Sequence, residues 1–189
     1  MLEKKKIKTS FKDSLFLLML DNQYDILTVE EIAYKAGYSR RTFYRYFSSK
    51  NELLKYGLSQ IIDEYTLALT KEVNLSVENI ANIFFNFWFT HVDLFYSLNE
   101  SDLLFELLNI MNIKIPQIHK SLKDRIPEYG KQEEVNYVLY YSIGGFWNLL
   151  VQWMANGREE TPEQFRLVLK HVIDSIQIKD KEYDKNKVL

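Results

Sequence analysis

A chain of 189 residues with 47% hydrophobic and 26% charged positions is globular, and it is long enough for a small head and a larger body. Only 6 Gly and 3 Pro disfavour a many-stranded β fold, and the absence of Cys excludes disulfides and thiolate metal sites and fits a reducing cytoplasm. The net charge of −2 argues against a uniformly basic nucleic-acid binder. Its distribution is uneven, however: residues 1–60 hold 11 Lys and Arg against 7 Asp and Glu, and the remaining 129 hold 13 against 19.

Ile7, Phe11, Leu15 and Leu18 share one helical face and predict a first helix over Ile7–Asn22. Lys4, Lys5 and Lys6 lead into an interrupted apolar segment, so no signal peptide is expected. Thr28 and Glu31 have the spacing of a capping box and open a second, short helix with Val29, Ile32, Ala33 and Ala36 inside. Gly37 ends it, and Ser39 caps a third helix, Arg40–Tyr46. A second box over Ser49-Lys50-Asn51-Glu52 opens a long fourth helix with Leu54, Leu58, Ile61, Ile62, Tyr65 and Leu69 on one side. Three helices in fifty residues, the second and third separated by a glycine turn, make a helix-turn-helix.

Beyond residue 73 the pattern stays helical. Ser76 caps a helix expected to reach Tyr96, Ser101 caps another towards Ile113, and Pro116 and Pro127 punctuate a poorly patterned middle. A long helix over Gln132–Asn156 stops at Gly157. Thr161-Pro162-Glu163-Gln164 then opens the last one, and the charged tail from Lys179 is expected to be disordered. The apolar runs Ile80–Leu98 and Ile143–Ala155 are interrupted or too short for a membrane span, so no membrane association is expected.

The segment Thr28–Lys50 carries the functional signal. An N-terminus capped by Ser39 presents unpaired amides and a positive dipole end, which suits entry into a major groove. Arg40, Arg41, Thr42, Tyr44, Arg45 and Tyr46 offer donors to bases and phosphates, and Phe43 and Phe47, four apart, anchor the helix inwards. His91, His119 and His171 are isolated from one another, and no nucleophile motif or metal-ligand spacing appears. No enzyme activity, metal or cofactor is expected.

Thr28, Ile32-Ala33, Gly37, Thr42-Phe43-Tyr44, Tyr46-Phe47 and Ser49-Lys50 together closely resemble the TetR family of transcriptional regulators. A weaker likeness to one C-terminal branch of that family runs through Tyr141-Ser142-Ile143-Gly144-Gly145-Phe146, Trp153, Gly157 and Glu160-Thr161-Pro162-Glu163. The resemblance implies an all-α chain: an N-terminal three-helix helix-turn-helix head over residues 1–50, joined to a helical-bundle ligand-binding and dimerisation domain over 51–189. It implies phosphate contacts from Thr28, Tyr44, Tyr46 and Lys50, and base contacts from Arg40, Arg41 and Thr42 beside the cap Ser39. Arg41 departs from relatives that carry a small residue there, and Arg45 reads equally well as a solvated surface residue.

The family implies partners as well: double-stranded DNA with a palindromic operator, a second copy of the chain, and an apolar or aromatic small-molecule effector that releases a repressor from DNA. Phe84, Trp88, His91 and Phe95 are the candidate effector pocket, although a packed core explains such aromatics at least as well. Phe146, Trp153, Phe165, Leu169, Val172 and Ile176 are the candidate dimer face, as two such helices per subunit can form a four-helix bundle. An interaction module that kept the head but works through a protein partner is the rival reading, and the basic recognition helix argues against it.

Overall fold

The computed structural model of the chain describes residues 2–122, 132–157, 160–161, 163–165, 167–172 and 174. Every regular element among them is helical: α1 Leu2–Met19, a single 3-10 turn Tyr24–Ile26, α2 Val29–Lys35, α3 Arg40–Tyr46, α4 Lys50–Lys71, α5 Val77–Thr90, α6 Val92–Glu100, α7 Leu104–Leu122 and α8 Gln132–Ala155. Helical residues follow at 163–165, 167–172 and 174. Ile176 and the tail from Lys179 lie outside the described residues.

The described residues form two compact units, one of residues 2–65 with 91–114 and one of residues 66–90 with those from 115 onward. In the first, Phe11 and Leu15 of α1 are fully buried, as are Ile32 of α2 and Phe43 of α3. Leu53, Leu54 and Leu58 of α4, Phe95 and Leu98 of α6, and Leu107 and Met111 of α7 complete that core. Gly57 of α4 leaves room for the Phe16 and Lys12 side chains of α1, since a Cβ there would lie 2.6 Å from Phe16 Cζ. Lys114 ties α7 to α4 by donating to the Ser59 carbonyl (2.9 Å) and to Asp63 Oδ1.

The second unit is built on aromatic rings. Phe84 lies 5.1 Å from Phe85 and 5.7 Å from Phe146, Phe85 lies 4.9 Å from Phe165, Phe89 lies 4.9 Å from Trp153, and Trp88 lies 6.4 Å from Trp147. Edge and tilted geometries of this kind add to the area buried. Trp153 also donates its indole N–H to the Glu160 carbonyl at 3.0 Å.

The expected ends shift in four places. The first helix starts at Leu2 and stops at Met19, where tightened bonds and the Asn22 side chain on the Leu18 carbonyl (3.0 Å) take up the last carbonyls. The helix expected to run to Tyr96 breaks at His91, between α5 and α6. Ser101 does not open the next helix: it ends α6, and α7 starts at Leu104. Pro116 lies inside α7 rather than between helices. Gly157, with φ +76°, follows α8, and Thr161 and Gln164 exchange their capping bonds as expected.

Candidate nucleic-acid interface

Two caps set the head. Glu31 N–H donates to Thr28 Oγ1 (3.2 Å) while Thr28 N–H and hydroxyl donate to Glu31 Oε2 (2.8 and 2.7 Å). These bonds hold the Glu31 carboxyl below the usual carboxylate range. At α3, Thr42 N–H donates to Ser39 Oγ at 3.1 Å, and the two hydroxyls lie 3.0 Å apart. Gly37 joins the helices with φ +74°, a conformation that Cβ-bearing residues adopt only at a cost.

One side of α3 is anchored. Phe43 and Phe47 are buried edge-on to Phe11, with centroids 5.3 and 6.2 Å away, and Tyr38 lies 5.4 Å from the same ring. The other side faces outward: Arg40, Arg41, Tyr44 and Arg45 are exposed, and Thr42 and Tyr46 are half-buried. The Arg40 guanidinium lies 5.7 Å from the Tyr44 ring and that of Arg45 5.2 Å from Tyr46. Among the described residues none of the three arginines pairs with a carboxylate. Thr28, exposed, spends its hydroxyl on Glu31.

Lys50, for which the resemblance implies a phosphate contact, is half-buried. Its ammonium donates to the carbonyls of Tyr24 (2.6 Å), Leu27 (2.7 Å) and Asp25 (3.2 Å), and lies 4.2 Å from the centre of the Tyr24 ring. Burial lowers its pKa, opposed by Asp25 and Glu31. Beside it, Ser49 caps α4 through Glu52 N–H (3.1 Å), but the Glu52 carboxylate reaches back to Ser48 (2.6 and 2.7 Å) and not to Ser49.

This geometry coincides with the span that known proteins share. The sequence profile of bacterial regulatory proteins of the tetR family matches residues 18–56. The head is a TetR-family helix-turn-helix. A curated relative, the uncharacterized HTH-type transcriptional regulator YwcC of Bacillus subtilis (strain 168), is 43% identical over 51 residues, 27% of this chain and 23% of the relative. The TetR-like fold extends over the rest of the chain. Lin0861 from Listeria innocua superposes with a TM-score of 0.73 at 15% identity, covering 93% of both chains. A tetR-family transcriptional regulator from Streptomyces coelicolor gives 0.65 at 17% identity, over 96% of this chain and 85% of its own. The fatty acid degradation regulator FadR from Bacillus halodurans gives 0.58 at 14%, over 87% and 91%.

The residues expected to line an effector pocket divide between the two units. Phe84 and Trp88 are buried among the aromatic rings of the second unit. His91 and Phe95 belong to the first, where His91 Nε2 lies 3.8 Å from Glu64 Oε2 and Phe95 is buried. A groove of about 180 Å³ in the first unit is lined by other residues, Met19 to Gln23 with Tyr96, Ser97, Glu100 and Ser101.

Of the candidate dimer face, Trp153, Phe165 and Leu169 are buried within the chain, and half-buried Phe146 packs on Phe84 and Phe85. α8 exposes Tyr137 and Tyr141, each 75% accessible, along with Tyr140 and with Gly144 and Gly145, beside which an added Cβ would meet nothing within 4 Å. On the last helical stretch Leu167, Val168 and Val172 are exposed. Among the described residues no helix is long and apolar enough to cross a membrane.

Proposed function

We propose that the chain is a dimeric, sequence-specific regulator of transcription, in which residues 1–50 bind DNA and residues 51–189 hold two heads at a fixed spacing. The observation that carries this reading is the outer face of α3. Three exposed arginines, none paired with a carboxylate among the described residues, stand beside Tyr44 on a helix that buried Phe43 and Phe47 fix in place. Arg40, Arg41 and Thr42, next to the capped N-terminus, are in reach of base edges, while Ser39, Tyr44, Arg45 and Tyr46 serve phosphates and Thr28, its donors held by Glu31, fixes the start of α2. The exposed stripes of α8 and the last helical stretch, Tyr141, Gly144, Gly145, Val168 and Val172, form the two-fold contact.

Repression is the direction of control proposed, with an apolar or aromatic effector favouring a head spacing that no longer fits the operator. The test is selection of duplex fragments by the purified protein, followed by sequencing. An inverted repeat with half-sites about one helical turn apart supports the reading. Retention that neither enriches a sequence nor weakens with salt would remove it.

A further inference from the structure

Tyr24 is held through both of its main-chain polar groups. Its amide donates to Ser101 Oγ at 3.0 Å, and its carbonyl accepts from Lys50 Nζ at 2.6 Å. Tyr24 is only 7% accessible, and its ring lies under the same ammonium. An ammonium has three hydrogens, and the Tyr24, Asp25 and Leu27 carbonyls take all three, so Lys50 reaches a phosphate only by releasing them.

The place of these carbonyls in the chain matters. They lie in the connection that delivers Thr28, the cap of α2, and α2 leads through Gly37 into α3. The Tyr24 carbonyl also accepts from Leu27 N–H (3.2 Å), whereas buried Leu27 would be left with a carbonyl costly to strand without the ammonium. On the opposite side Ser101 is fixed at the end of α6, and the next residue, Asp102, takes a left-handed φ of +56° to start the turn into α7.

We infer that Lys50 is a positioning residue for the recognition helix rather than a phosphate contact, and that Ser101 is its counterpart. Together they clamp Tyr24 by carbonyl and amide and thereby set where α2 and α3 stand. The inference rests on the DNA-binding reading above, and its test separates the two. The full chain is compared with Lys50→Met, Ser101→Ala, Ser101→Thr and the Lys50→Met/Ser101→Ala double variant. Three quantities are measured: affinity for the selected duplex across a KCl series, melting temperature, and amide exchange of residues 24–28 in the DNA-free protein.

Lys50→Met and Ser101→Ala should each weaken DNA binding several-fold with the parent's salt slope, and should speed exchange at 24–28. Ser101→Thr, which keeps the hydroxyl, should restore both. The double variant should lose less than the two single losses combined, since both changes release the same residue. A slope smaller by about 0.9 per head in Lys50→Met would mark a phosphate contact and overturn the inference. So would a lowered melting temperature in Ser101→Ala with unchanged DNA affinity, which is the mark of a merely structural bond. If the parent binds no duplex, the DNA reading fails; unchanged exchange at 24–28 in both single variants refutes the clamp whatever the DNA result.

Discussion

Replacing Phe11 by Ala separates the stability of the head from its DNA-facing chemistry. The ring is fully buried and meets Phe43, Phe47 and Tyr38 at 5.3, 6.2 and 5.4 Å between centroids. Truncation deletes all three contacts and leaves a cavity among α1, α2 and α3, a loss of about 3–5 kcal/mol. The aromatic geometry supplies about 0.5–1.5 kcal/mol per pair of that. For a chain of this length each kcal/mol moves the melting temperature by about 2–4 °C, so a fall of roughly 6–20 °C is expected. Circular dichroism melts report it. The control is Arg41→Ala on the exposed face of the same unit, which should change stability by no more than about 0.5 kcal/mol while weakening DNA binding. A Phe11→Ala melt within about 2 °C of the parent would show that α3 is not anchored through this ring, and the division of α3 into an anchored and a reading side would fall with it.

Arg40→Ala should relax base preference at one operator position and cost about 1–3 kcal/mol per contact, read by binding to single-base operator variants; uniform weakening across all variants would assign it to phosphate instead. Thr28→Ala should cost about 1 kcal/mol by urea unfolding at neutral pH. Because the Glu31 carboxyl is held below its ordinary value of 4.5, the stabilisation is present above that value and is lost as pH falls through the lowered pKa, so the difference between Thr28→Ala and parent should shrink in acid. His119 is buried in α7, with Nε2 lacking a hydrogen-bond partner among the described residues, and burial lowers its pKa from 6.5. The unfolded chain then binds the proton more readily, so stability should fall as pH drops below about 6.5, and His119→Leu should flatten that part of the profile. Val172→Glu should turn dimer into monomer in light scattering, since an uncompensated charge at a buried interface costs several kcal/mol; a variant that stays dimeric moves the contact away from the last helical stretch.

Helix starts were legible in this sequence wherever a cap is a three-residue event. Thr28 with Glu31, Ser39 with Thr42 and Thr161 with Gln164 each close their bonds within one turn, so neighbouring side chains suffice to specify them. The four-residue spacing of Phe43 and Phe47 likewise determined the buried side of α3, and with it the side left for DNA. Other features depend on groups far apart in the chain. Ser101 has the composition of a cap, but its hydroxyl accepts from Tyr24, 77 residues earlier, and α7 begins without it. Lys50 has the charge for a phosphate, yet the 3-10 turn at Tyr24–Ile26 brings three carbonyls to it first. The break at His91 has no Gly or Pro to announce it. Periodicity marked Phe146, Trp153 and Phe165 as apolar faces, and the rings of α5 pack against them in the folded chain. A repeat of apolar residues specifies that a surface must leave water; which surface covers it is set by tertiary packing alone.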